Sequence, residues 1–187
     1  VDLVIGPDGV EHIVRVVDEV KEKKVPVVRT QFDTATNYKI PELSGETPLK
    51  PGSTTFVNII KGCDKFCTFC VVPFTRGREK SREAEEIEQE VRLLVSRGAR
   101  EIILLGQNVN AYGKRGLKRP VPFHELLYRI ASIPGLRRLR FTTSHPKDFT
   151  RECISAYRDI DILVNHLHLP VQSGNNRILR EMRRMHT

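Results

Sequence analysis

The 187-residue sequence predicts an α/β fold whose parallel sheet curls toward a barrel. Short runs rich in β-branched and aromatic residues alternate with amphipathic helical windows over most of the chain. Each connection between successive strands is long enough to hold a helix, which a parallel pair requires, and right-handed crossovers repeated in one direction curl such a sheet as in a barrel. A third observation is positional. Residues with chemistry to offer cluster just after each predicted strand, where the loops at one edge of a parallel sheet share a mouth.

In order, Val1-Asp2-Leu3-Val4-Ile5 reads as a buried strand, Gly6-Pro7-Asp8-Gly9 as a turn, and Val10, Ile13, Val14, Val17 and Val20 as one face of a helix. This is a strand and a helix without a sheet, so residues 1–23 are expected to end a preceding α/β domain. Residues 24–53 are rich in Thr, Pro and Gly with little periodicity, as in a connector laid over a surface. From residue 54 the strand-loop-helix unit repeats. Phe56 to Ile60 is a strand, and a helix follows from about Arg82 to Arg97, with Ser81 as N-cap and Gly98 past its end. Ala84, Ile87, Val91 and Leu94 form its buried stripe, with Glu83, Glu85 and Glu86 near the positive N-terminus. Glu101 to Leu105 is a near-continuous apolar strand of the kind covered on both faces. Helices are expected over Phe123 to Ser132, Phe149 to Arg158 and Asn176 to Arg184, and strands over Leu139 to Thr142 and His166 to Leu169.

Directly after the first of these strands stands Gly62-Cys63-Asp64-Lys65-Phe66-Cys67-Thr68-Phe69-Cys70. Three thiolates on one loop can hold three corners of an iron-sulfur cube and leave the fourth iron open for chemistry. A zinc site prefers four ligands in two pairs, although His12, His124, His145, His166, His168 and His186 are available as a fourth. A disulfide framework does not suit a chain this long and Cys-poor with no signal peptide at its start. An electron carrier would supply four cysteines per cluster, not three. The fourth cysteine, Cys153, sits on a predicted helix beside Ile154 and reads as a small buried apolar residue.

The CxxxCxxC spacing resembles the cluster loop of the radical S-adenosylmethionine (SAM) superfamily, with Phe69 at the aromatic position before the last cysteine. The wider stretches Cys67-Thr68-Phe69-Cys70-Val71-Val72-Pro73-Phe74-Thr75-Arg76-Gly77-Arg78-Glu79-Lys80-Ser81-Arg82, Leu104-Leu105-Gly106-Gln107-Asn108-Val109-Asn110, Thr142-Thr143-Ser144-His145-Pro146 and His168-Leu169-Pro170-Val171-Gln172-Ser173-Gly174 resemble its methylthiotransferase family. Four motifs in the same order over residues 56 to 187 are far more specific than the cysteine triplet. The resemblance implies a partial barrel of the radical SAM type, with about four of the family's six βα units in residues 54–187, and residues 1–23 as the end of the N-terminal methylthiotransferase domain. It implies a 4Fe-4S cluster on Cys63, Cys67 and Cys70, SAM on its open iron, and a second cluster whose ligands lie outside this sequence. One SAM would methylate sulfur on that second cluster; the other, given an electron by a flavodoxin- or ferredoxin-type donor, would break to a radical. The implied product is a methylthio group at C2 of an isopentenylated adenosine beside a tRNA anticodon. Relatives that modify an aspartate of a ribosomal protein or threonylcarbamoyladenosine in tRNA are the rivals.

By the same resemblance Phe69 lies against the adenine of SAM, the alternative being a plain core residue. Gly106-Gln107-Asn108 stands where many relatives carry a Gly-Gly-Glu-like element that meets the SAM amino group; here the carboxylate is missing. Ser144, His145 and Gln172 are candidates to line the cavity, or polar strand ends that cap their neighbours. Arg76 and Arg78 are candidates for tRNA phosphates, or partners of Glu79 and Glu83. No catalytic side chain is assigned beyond the cluster. Composition agrees: 31 Lys and Arg against 23 Asp and Glu give +8, which favours a polyanionic partner. Basic clusters at Lys114, Arg115, Lys118 and Arg119, at Arg137, Arg138 and Arg140, and at Arg177, Arg180, Arg183 and Arg184 read either as contacts for it or as solvated surface. No apolar run approaches the ~20 residues of a membrane span, so a soluble, cytoplasmic protein is expected.

Overall fold

The computed structural model describes residues 1–32 and 49–187. Strand β1 (Leu3–Ile5) is followed by a 3-10 turn over Pro7–His12 and helix α1 (Ile13–Lys23), and pairs in parallel with β2 (Val27–Arg29). The expected strand and helix therefore do have a sheet. Its second strand comes from the stretch predicted as a connector, where the β-branched Val27 and Val28 pair their backbone with Leu3 and Val4. Residues 33–48 of that connector lie outside the described residues. Helix α1 buries Val16, whereas Val10, Ile13 and Val14 of the predicted face stay exposed. Two short strands are too narrow to cover a whole helix face.

Past residue 49 come β3 (Ser53–Asn58), β4 (Ile60–Lys61), the one-turn α2 (Val72–Thr75), β5 (Lys80–Ser81), α3 (Ala84–Ser96) and β6 (Ala99–Leu105). They are followed by α4 (Phe123–Ala131), β7 (Arg138–Phe141), α5 (Arg151–Asp159) and α6 (Asn176–Glu181). Strands β3, β6 and β7 form a three-stranded parallel sheet with β6 in the middle, Val57 opposite Leu104 and Leu104 opposite Phe141. Ile102 and Leu104 are wholly buried, but Ile103 and Leu105 on the opposite face are only half-buried, so the expected cover on both faces of β6 is incomplete. The predicted stripe of α3 is also buried at Ala84, Ile87, Val91 and Leu94. Phe123 at the start of α4 meets Phe141 edge-on with centroids 5.0 Å apart, and Tyr157 of α5 closes on the same ring.

Two further expectations change. Ser81 is not an N-cap: it lies in β5, antiparallel to β4, and its hydroxyl accepts the Gly113 amide at 3.0 Å. The helix starts three residues later, with Glu83 as its N-cap residue. The strand expected over His166 to Leu169 does not form. Only Leu163 bridges to Leu139, after which the chain turns its polar groups to other work: the His168 ring and carbonyl accept the Thr143 and Ser144 amides. Pro170, with no N–H to donate, ends the segment. Cys153 is buried on α5, as read from sequence.

Leu104→Ala, in the middle strand, removes a fully buried side chain from the core face of the sheet. The expected loss is about 2–5 kcal/mol of unfolding free energy by urea titration; a loss below about 1 kcal/mol would mean that β6 is not the core of the sheet.

Candidate metal-cofactor site

Because β3, β6 and β7 run parallel, the segments that follow them leave the sheet at one edge. The first of these carries the cysteines. Gly62 has φ +74, and a Cβ there would overlap the Arg78 carbonyl oxygen, so glycine is required on both counts. Its amide donates to Gln107 Oε1 at 2.6 Å, the Cys63 amide to the Gly77 carbonyl at 3.1 Å, and the Cys70 amide to the Cys67 carbonyl at 3.0 Å. The loop is thus shaped by its own backbone and by the segment after β6.

All three cysteines are free thiols, Cys63 and Cys67 buried and Cys70 half-buried. Burial pushes the Cys63 thiol up to about 11, so it stays protonated until a cation takes the proton's place. Among the described residues, no group of three or more His, Cys, Asp or Glu is gathered closely enough to hold a single metal ion. A cube of iron and sulfide takes its ligands at separate corners, and an all-sulfur donor set suits it. Close by, the buried Arg184 directs Nη1 at Cys67 Sγ from 3.5 Å, a positive charge placed where a thiolate would form. The residues present therefore fit an iron-sulfur group.

Beneath the loop lies a buried ionic network. Asp148, which follows β7, is 2% exposed and meets Lys65 Nζ at 2.7 Å, Asn108 Nδ2 at 2.8 Å and Lys114 Nζ. Burial by itself would raise this carboxyl, but the three hydrogen bonds outweigh it and hold Asp148 at about 2. Glu79, also buried, accepts the Asp64 amide, while Asp64 accepts the Glu79 amide and pairs with Arg78 and Arg115. Asn110 and His145 exchange two bonds, side-chain amide to backbone, at 2.8 and 2.9 Å. The His145 ring accepts the Lys147 amide at Nδ1, which leaves its proton on Nε2; burial pushes the ring down to about 4, helped by the Arg184 charge.

The structure brings most of the sequence-predicted residues together. Gly106 permits close packing, since a Cβ would run into the Ile60 side chain. Gln107 is spent on Gly62 and Asn108 on Asp148, with Asn108 Oδ1 left without a partner. Ser144 is buried with its hydroxyl also without a partner, and its amide donates to the His168 carbonyl. Phe69 is 54% exposed, which overturns the core alternative for that ring. Gln172 is exposed, at φ +72, and its side chain joins no bond of the cluster among the described residues. Arg78 pairs with Asp64 and stands over the Phe66 ring at 5.6 Å, so the pairing with Glu79 or Glu83 is corrected. Arg76 is exposed and lines a cleft of about 460 Å³ with Phe32, Arg115 and neighbours. Lys65, Asp148 and Arg184 were missed by sequence reasoning, because partners 83 and 117 positions apart leave no periodic trace.

Asp148→Asn leaves the largely buried Lys65 ammonium, and the more exposed Lys114, without their counter-charge. It is expected to cost about 3–5 kcal/mol by denaturant titration. Because Asp148 is depressed from its usual 3.8 to about 2, its stabilisation is full above 3.8 and lost as pH falls through about 2. The acid-unfolding slope between those values should flatten in the variant; an unchanged slope would show that the carboxylate is not held ionised.

Known proteins bear on this site. A family model described as the radical SAM superfamily matches residues 57–187. Proteins named tRNA-2-methylthio-N(6)-dimethylallyladenosine synthase align with all of the chain at 51% identity in Acidithiobacillus ferrooxidans, 48% in Agrobacterium fabrum and 46% in Saccharophagus degradans. The chain spans about two fifths of the length of these relatives, 41%, 41% and 40%. With three free cysteines on one loop and the family model matched from the end of β3 through residue 187, the chain belongs to the radical SAM superfamily.

Proposed function

We propose that this chain forms the cofactor-binding core of a tRNA methylthiotransferase that installs a methylthio group at C2 of isopentenylated adenosine. The observation that carries this reading is the trio of free thiols on one short loop, two of them buried, joined to alignment at 46–51% identity with relatives so named over the full chain. Cys63, Cys67 and Cys70 hold the 4Fe-4S cluster in this reading. When bound, the cluster supplies the low-potential electron that cleaves SAM.

The protein's own share is to position and to exclude water. Gln107 fixes Gly62 and so the direction in which Cys63 leaves β4. Asp148 fixes the middle of the cysteine loop through Lys65. The exposed ring of Phe69 offers an apolar face for the adenine of SAM. Ser144 Oγ and Asn108 Oδ1 are buried without partners, which supports a role in receiving a polar ligand. Gly106 serves by closeness of approach. Gln172 belongs to the rim.

The reading extends to a partial barrel of βα units over residues 54–187, with residues 1–23 ending a preceding domain. It also includes a second cluster held elsewhere, a flavodoxin- or ferredoxin-type electron donor and a cytoplasmic setting. The +8 charge and the exposed Arg76, Lys118, Arg119 and Arg137 support a tRNA partner. Among the described residues no helix is long and apolar enough to cross a membrane.

Anaerobic reconstitution followed by EPR with and without SAM tests the chemistry. The reduced signal is expected to change on adding SAM and to vanish in Cys67→Ala, whereas a signal indifferent to SAM would favour an electron carrier. Mass spectrometry of tRNA nucleosides from cells lacking the gene is expected to show loss of the methylthio mark with the isopentenyl group retained. An unchanged tRNA profile would overturn the substrate.

A further inference from the structure

The sequence groups Arg184 with a basic surface cluster, yet the structure separates them: Arg177, Arg180 and Arg183 are exposed and Arg184 is 5% exposed. Its Nη1 lies 3.5 Å from Cys67 Sγ and its Nη2 donates to the Pro170 carbonyl at 2.7 Å. Its Nε is buried without a partner, and among the described residues no carboxylate pairs with it. Taking a guanidinium out of water is costly unless a negative group compensates. The titratable group that its charge perturbs, His145, is itself buried and neutral. Of the side chains that the guanidinium touches among the described residues, Cys67 is the one whose sulfur can carry the compensating charge.

The backbone points the same way. Arg183 and Met185, on either side of Arg184, both adopt the left-handed region at φ +54 and +57 without being glycine. Such conformations persist where the surroundings impose them. The same turn is fastened to the cysteine loop independently of Arg184, because the Thr68 amide donates to the Met182 carbonyl and the Thr68 hydroxyl to the Glu181 carbonyl, both at 3.2 Å.

We infer that Arg184 is a positioning residue that donates to the Cys67 sulfur and sets the potential at which the cluster accepts its electron. This rests on the proposal that Cys63, Cys67 and Cys70 hold the cluster. Reduction transfers one electron from the reductant and adds one negative charge to a thiolate-ligated group. A fixed positive charge and an N–H donor at the sulfur stabilise the reduced form more than the oxidised one, which raises the potential.

The test is an EPR-monitored redox titration of the full-length protein, following the signal that SAM perturbs, in wild type and in Arg184→Lys, Arg184→Gln and Arg184→Met. Arg184→Met is expected to keep its iron content and to lower the reduced-to-oxidised ratio at fixed potential about tenfold, which for one electron is about 59 mV. Arg184→Lys should retain most of the ratio and Arg184→Gln fall between. A ratio within twofold of wild type in Arg184→Met overturns the inference. If Arg184→Met loses its iron, the other two variants decide: a higher ratio in Lys than in Gln upholds it, and equal ratios overturn it. A wild-type protein with no SAM-sensitive signal, or Cys67→Ala that keeps one, instead defeats the underlying assignment of the cysteines.

Discussion

The carboxylate of Asp148 is the point on which the separate loops agree. Removed from water, it is stable as an anion only while Lys65, Asn108 and Lys114 all supply their hydrogens. Those three donors come from the cysteine loop and the segment after β6, and Asp148 itself comes from the segment after β7. Each loop's position is therefore conditional on the others. Asn108 joins this centre to a second buried carboxylate, Glu79, which carries the tie to Asp64 inside the cysteine loop.

Above this polar floor the surroundings change character. Phe66, Phe69, Val71 and Phe74 are all exposed on or beside the cysteine loop, with Phe66 and Phe74 edge to face at 6.1 Å. An apolar rim over a hydrogen-bonded base suits a ligand with a flat organic portion and a polar head. The sheet supplies the rigidity for both: β6 packs Ile102 and Leu104 wholly into the core, and Gly106 lets its end approach Ile60 closely.

What the sequence disclosed follows the range of the interactions concerned. The buried stripe of α3 and the middle strand were legible because each rests on a repeat within a few residues. The cysteines were legible because three thiols on one short loop are a local pattern. Ser81 misled because an N-cap and a residue of a two-residue strand share the same small polar identity; only the pairing with Ile60, 21 positions earlier, decides between them. The fourth strand failed because His168 gives its ring and its carbonyl to neighbouring amides. Arg184 looked like one more surface charge, since nothing in Arg183-Arg184-Met185 distinguishes the buried arginine from the exposed one.

The left-handed turn around Arg184 also orders events in time. The cysteine loop is held at Lys65 by a residue 83 positions downstream and at Cys67 by one 117 positions downstream. Contacts of such separation close late, after the entropy of long intervening segments has been spent. During synthesis the thiols emerge well before Asp148 and Arg184, the residues that anchor their loop. The cysteine loop therefore takes its final shape only once the chain through Arg184 has been made.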